Sequence, residues 1–216
     1  MQPRRRILRA ARVKKKRYIA VAGNMGSGKS SLVKFLCKEF ELTPFFEPND
    51  RNPYLDDFYE DMPGYGFRSQ IYFLIHRFRI HKEMEGLAET VVQDRTIYED
   101  AEIFAKNLHK RRFIDARDWR TYQELYETLT RELKPPDLMI YLKCSTPSLM
   151  KRIAQRGRKS EEAIPRSYVA KLNDLYEEWF AGYDRSPTLV LPSDRMDYVT
   201  DLFDRHDLLS TISKNL

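Results

Sequence analysis

Cysteine is scarce in this chain: Cys37 and Cys144 are the only two among 216 residues. Two thiols supply neither a disulfide framework nor a zinc quartet, and such sparing use points to a reducing compartment, the cytoplasm. No apolar run approaches twenty residues, which argues against a membrane span, and no apolar stretch follows the N-terminal basic residues, so no secretory signal is expected. The four histidines show no metal spacing: His76 and His81 are five apart, and His109 and His206 stand alone. They read as ordinary surface or core residues. Acidic residues are missing from positions 1–17, which hold nine basic ones. Without that stretch the 38 Lys and Arg fall to 29, against 32 Asp and Glu, so the body of the chain is slightly acidic. The basic stretch reads as a solvated, disordered tail, with an organelle-targeting peptide as the alternative. It gives no reason to expect a nucleic-acid partner, because such proteins usually carry the basic face on the fold itself.

What is present is aromatic and alternating. Thirteen Tyr and twelve Phe supply the apolar area that a disordered chain lacks. Short apolar segments at 18–22, 43–47, 90–94, 138–142 and 188–191 are each followed by a stretch of helical periodicity, clearest at 67–87 and 118–133. Alternation of this kind predicts an α/β fold: a parallel sheet of five strands covered by helices on both faces, a three-layer α/β/α arrangement. Pro135-Pro136 ends one helix just before the fourth strand. No repeat or linker divides the chain, so residues 18–216 are expected to form one domain.

Gly23-Asn24-Met25-Gly26-Ser27-Gly28-Lys29-Ser30 matches the phosphate-binding pattern GxxxxGK[ST]. It follows a strand and precedes the helical run 31–40, which Ser31 opens, and that context confirms the motif. Glycines there let backbone N–H groups face a polyphosphate at the positive end of a helix. Lys29 is placed to reach the terminal phosphates and Ser30 to ligate Mg²⁺, making ATP the co-substrate. Leu142-Lys143-Cys144-Ser145 is not the guanine-reading element of GTPases, no transporter-ATPase signature occurs, and the chain is too short for a helicase core. A small P-loop kinase remains.

Its acceptor side is carried by charges at strand ends. Glu47-Pro48 ends the second strand and Asp94-Arg95-Thr96 the third, at the edge where open α/β sheets gather ligands. Gln70 and Arg77 lie seven apart, on one helix face. Arg152 and Arg156 are four apart, and Gly157 releases that helix into a loop carrying Arg158. These arginines read as a lid, about residues 152–163, whose guanidiniums meet the triphosphate bidentately.

With these elements in order, the sequence resembles the deoxyribonucleoside kinase family, in particular its deoxyadenosine, deoxyguanosine and deoxycytidine kinases. The resemblance covers about residues 17–205: the P-loop, Glu47-Pro48, Asn52-Pro53-Tyr54-Leu55 with Phe58-Tyr59, Gln70 with Arg77, Asp94-Arg95-Thr96 with Asp100, and Arg152 with Arg156-Gly157-Arg158 and Glu161. Two positions depart from the family pattern: Asn49 stands where valine is common, and Thr96 replaces the usual serine.

The resemblance implies that Glu47 is the general base for the nucleoside 5′-hydroxyl and that Arg95 holds the 5′ end with its incoming phosphoryl group. It implies that Asp94 and Glu47 meet the Mg²⁺ through water, that Tyr59 and Glu161 contact the sugar 3′-hydroxyl, and that Gln70, Arg77 and Asp100 read the base. It also implies a homodimer. Two rivals remain: a nucleoside-monophosphate kinase of the thymidylate kinase type, which shares the P-loop and an arginine lid, and a nucleotide-gated nucleic-acid binder using the tail.

Overall fold

The computed structural model describes residues 16–46, 51–158, 161–162, 164–194 and 201–215. Five short segments rich in aliphatic and aromatic residues form the strands β1 (Tyr18–Ala22), β2 (Thr43–Phe45), β3 (Val91–Asp94), β4 (Leu138–Lys143) and β5 (Thr188–Pro192). All pair in parallel, in the order β2-β3-β1-β4-β5. This is the expected α/β architecture, with every strand where the apolar segments predict it. Val21 lies opposite Asp94 and Ile140, so the C-terminal ends of the three central strands share one edge.

The sheet is covered on both faces, and the two-residue period of a strand divides its side chains between them. Ile19 and Val21 of β1 and Leu138, Ile140 and Leu142 of β4 pack on Leu32, Val33 and Leu36 of α1 (Lys29–Phe40). Ala20, Ala22, Met139 and Tyr141 face the other way. There they meet Leu149 and Ile153 of α7 (Thr146–Arg156) and Val169, Leu172 and Tyr176 of α8 (Arg166–Ala181). The small alanines on this face leave room for tyrosine rings.

Two helices start earlier than periodicity predicts. The helix expected at 67–87 is α3 (Met62–Gly86), reached after the short α2 (Leu55–Glu60). Pro63 and Gly64 look like breakers in sequence, but proline is tolerated in a first turn, and Asp61 caps the helix by accepting from the Gly64 N–H at 3.1 Å. The helix expected at 118–133 is α6 (Ala116–Thr130), capped by Asp115, which accepts from the N–H groups of Arg117 and Asp118 at 2.8 Å each.

Between β3 and α6 the chain forms α4 (Ile97–Glu99), a π-helical segment (Asp100–Ala105) and α5 (Lys106–Lys110). The last helix, α9 (Leu202–Ser213), has no counterpart among the sequence expectations, and buries Leu208 and Ile212 beneath the sheet. Residues 1–15 of the basic stretch lie outside the described residues. Arg17 already belongs to the fold: its carbonyl accepts from Val91 N–H at 2.9 Å, and its own N–H donates to Thr90 Oγ1 at 3.2 Å. No helix among the described residues is long and apolar enough to cross a membrane.

Candidate active site

β1 feeds the glycine loop directly into α1. Gly23, Gly26 and Gly28 have φ of 148°, 79° and 97°, which L side chains rarely adopt. At Gly26 a Cβ would also come within 2.9 Å of the Leu149 carbonyl oxygen, whereas at Gly28 nothing lies within 4 Å. The loop is therefore tight toward α7 and open where its N–H groups face the cleft. Asn24 anchors it: the side-chain amide donates to Val169 O of α8 at 3.0 Å, and its Oδ1 accepts from Met25 N–H at 2.8 Å. Lys29 Nζ donates back to Asn24 O at 3.0 Å. Ser31 is exposed on the first turn of α1.

At the end of β3, Asp94 Oδ2 accepts from Ser30 Oγ of the P-loop. Its other oxygen, Oδ1, is buried with no hydrogen-bond partner among the described residues. Arg95 has φ of 65°, unusual for a residue with a side chain, and its guanidinium lies 4.3 Å from the centre of the Phe104 ring. Arg77 of α3 is almost fully buried; its Nε donates to Asp100 Oδ2 at 2.9 Å and its NH1 to Asp94 O at 3.0 Å. Gln70, two turns earlier on the same face of α3, is buried, and its Oε1 has no hydrogen-bond partner among the described residues.

These groups converge on a cleft of about 310 Å³ at the C-terminal edge of the sheet. Of the residues singled out in sequence, Met25, Lys29, Ser30, Tyr59, Gln70, Asp94, Arg95, Asp100, Arg156, Arg158 and Glu161 line it. Arg77 stands behind Asp100 rather than on the wall. Glu47 lies outside the described residues, as do 48–50 and positions 159, 160 and 163 of the lid.

Arg152 is not brought onto the cleft wall with the other two lid arginines. Its guanidinium donates to the Ser27 carbonyl at 3.3 Å and to Ser193 Oγ at 3.4 Å and Ser193 O, so it braces the P-loop against the end of β5. Arg156 pairs with Glu161, through Nε at 3.1 Å, and Arg158 NH1 lies 3.5 Å from the same carboxylate. The predicted phosphate-binding cations and the predicted sugar-binding acid thus pair with one another within the lid.

Two groups of site residues had escaped the sequence reading. One is most of the apolar wall: Phe46, Phe73, Phe104 and Tyr168, which join Leu55 and Phe58. In sequence these aromatics look like any core residue; they come from four different elements, the end of β2, α3, the π-helical segment and α8, and only the packed fold brings them to one wall.

The other is Glu99, fully buried at the base of the glycine loop. Its Oε1 accepts from Gly23 N–H at 3.2 Å and Tyr176 OH at 2.9 Å; its Oε2 accepts from Thr96 N–H at 2.8 Å and Thr96 Oγ1 at 3.1 Å. Burial pushes this carboxyl above the ordinary glutamate range, against the opposing pull of the Arg95 and Lys29 cations and of the N–H donors of Thr96 and Gly23. Thr96 and Glu99 form a capping box at the start of α4, and the carboxylate has a second set of partners beyond it.

A glycine loop opening a helix, a cation-lined cleft and a partner-free carboxylate oxygen beside the P-loop serine define a P-loop phosphotransferase. The match to known proteins is specific. A family model described as deoxynucleoside kinase matches residues 19–216. The deoxyadenosine/deoxycytidine kinase of Bacillus subtilis is 38% identical over 191 residues, 88% of each chain. A deoxyguanosine kinase of Lactobacillus johnsonii is 36% identical over 207 residues, 92% of each chain. Among solved structures, the deoxyadenosine kinase of M. mycoides with bound dATP superposes with a TM-score of 0.80 at 32% identity, covering 92% of this chain and 99% of that one. The chain belongs to the deoxynucleoside kinase family and is an ATP-dependent phosphotransferase acting on deoxynucleosides.

Proposed function

We propose that this kinase transfers the γ-phosphoryl group of ATP to the 5′-hydroxyl of deoxyadenosine or deoxyguanosine, with deoxycytidine as a further acceptor. The observation that carries the choice of base is the buried Arg77–Asp100 pair beside Gln70. A carboxylate only accepts hydrogen bonds, and the exocyclic amino groups of adenine and cytosine only donate there, whereas thymine offers a keto oxygen. Arg77 pairs with Asp100 at 2.9 Å, and Gln70 supplies both a donor and an acceptor, which keeps guanine acceptable. The names of the relatives, which include deoxyadenosine, deoxyguanosine and deoxyadenosine/deoxycytidine kinases, support the same set.

Phosphoryl transfer passes through a loose transition state, so alignment and charge neutralisation are the work of the protein. Glu47, two residues beyond β2, takes the 5′-hydroxyl proton. Arg95, stacked on Phe104, meets the charge that develops on the transferred group, and Lys29 with the glycine-loop N–H groups holds the phosphates. Arg156 and Arg158 exchange Glu161 for the triphosphate, freeing Glu161 to join Tyr59 at the sugar 3′-hydroxyl. Arg152 holds the P-loop carbonyl at Ser27 in place.

Ser30 Oγ and the partner-free Oδ1 of Asp94 fit Mg²⁺, a hard cation that takes one or two protein oxygens and completes its shell with phosphate and water. Among the described residues no cluster of three acids, histidines or cysteines is placed to hold a metal, which suits such a shared site. When bound, Mg²⁺ neutralises phosphate charge. A homodimer, inferred from the family resemblance, and a reducing cytoplasmic setting, supported by the two free thiols, complete the reading.

The experiment is a steady-state comparison of deoxyadenosine, deoxyguanosine, deoxycytidine, thymidine and dTMP with ATP and Mg²⁺. The proposal expects the first two to have the highest kcat/KM. Thymidine as the best acceptor overturns the base assignment, and preferential phosphorylation of dTMP overturns it in favour of a nucleoside-monophosphate kinase.

A further inference from the structure

We infer that Glu99 is a positioning residue for phosphoryl transfer: its two carboxylate oxygens lock the first residue of the phosphate loop to the turn that carries Arg95. The inference deepens the function proposed above and rests on it. A helix capping box requires one oxygen, here Oε2 on Thr96 N–H, and stabilises a helix start wherever it lies. Oε1 is left over, and it is directed away from its own helix, onto Gly23 N–H and the Tyr176 hydroxyl of α8.

Through one side chain with no solvent exposure, three elements are therefore held at fixed separation: the base of the P-loop, the left-handed turn at Arg95 and the helix that also anchors Asn24. The charge matters as well as the geometry. Lys29 and Arg95, the two cations assigned to the phosphates, both interact with this carboxylate, which balances them from behind the cleft.

The chemistry of the site makes a sharp test possible, because each oxygen of Glu99 faces a backbone N–H that can only donate. In Glu99→Gln the amide NH₂ meets such a donor whichever way it turns, although glutamine still satisfies the capping box. The expected result is a fall in single-turnover rate and kcat of about 10- to 100-fold, as for a small misplacement of reacting groups. KM for the deoxynucleoside and its equilibrium binding should stay within about twofold. Glu102→Gln is the control for a merely structural loss. Glu102 lies in the adjoining π-helical segment and binds Tyr126 OH, Trp179 Nε1 and Arg185, without contacting the P-loop. It should lower thermal stability and leave kcat within about twofold.

If Glu99→Gln keeps its kcat, or raises KM alone, the assignment is overturned; it is likewise overturned if Glu102→Gln loses kcat to the same degree. Should Glu99→Gln not fold, Tyr176→Phe, which removes a donor from Oε1, carries the same expectation on a smaller scale: a drop in kcat of about threefold or more at constant KM. An unchanged kcat there overturns the inference. A wild-type enzyme inactive on every deoxynucleoside would instead overturn the proposed function, so the two failures are distinct.

Discussion

Arg77 on α3 and Asp100 at the head of the π-helical segment form an ion pair at 2.9 Å with side-chain exposures of 1% and 4%. An ion pair this deeply buried costs much desolvation and is a weak source of net stability, so its place in a substrate cleft is better explained by recognition. Arg77 NH1 continues to the carbonyl of Asp94 at 3.0 Å, so the pair also ties α3 to the end of β3.

Replacing Asp100 by alanine therefore has two expected effects. Removing one partner breaks a buried ion pair, and denaturant unfolding should show a loss of about 3–5 kcal/mol. The kcat/KM ratio of deoxyadenosine to thymidine should narrow by roughly 10- to 100-fold, because a buried acceptor no longer opposes the keto oxygen of thymine. A variant that keeps the wild-type ratio means that Asp100 does not read the base.

Glu47→Gln keeps the size of the side chain and one hydrogen bond but cannot accept a proton. Turnover should fall by about 10² or more with nucleoside binding retained, measured by steady-state kinetics and calorimetric titration. Turnover near that of the wild type removes Glu47 from the role of base.

The glycines of the phosphate loop separate strain from space. Gly26→Ala meets both a left-handed φ of 79° and a carbonyl oxygen 2.9 Å from the new Cβ; Gly28→Ala meets only the φ of 97°. Each forced conformation costs about 1–3 kcal/mol, and the collision at position 26 adds to it. Gly26→Ala should have the lower melting temperature, while both variants lose ATP affinity, since the methyl at position 28 points into open space. Equal melting temperatures would show that α7 yields at Leu149.

His81 of α3 is buried, with Nε2 3.0 Å from the Lys134 carbonyl and its ring edge against Tyr18. Burial, with a smaller contribution from Lys82, holds its pKa below the ordinary 6.5, against the opposite pull of Glu85 and the Lys134 carbonyl. The unfolded chain therefore binds this proton more readily than the fold does. Stability is full above about pH 6.5 and declines as the pH falls from there toward the lower folded value. Denaturant midpoints between pH 7.5 and 5.5 should fall more steeply for the wild type than for His81→Gln.

The sequence by itself determined the sheet and the phosphate loop. Strands show up as short apolar segments because a sheet buried on both faces admits little else, and the glycine loop shows up because only glycine tolerates its backbone. The charged end of β3 and the shared helix face of Gln70 and Arg77 were also legible, through strand-end position and helical spacing, with Asp100 added by the family resemblance. Tertiary structure alone decided the rest. α9 and the early start of α3 escaped because a capping aspartate followed by Leu202-Phe203 or Met62-Pro63 has no strong periodicity until something packs against it. Arg152 has the same helical spacing as Arg156, yet it turns to Ser27 and Ser193, because where a guanidinium finds its acceptors depends on which loops lie beside the helix. Glu99 closes a capping box with Thr96 through one oxygen. Its second oxygen meets Gly23 and Tyr176, each more than seventy residues away in sequence, and no local pattern encodes a contact that exists only once β1, β3 and α8 are packed together.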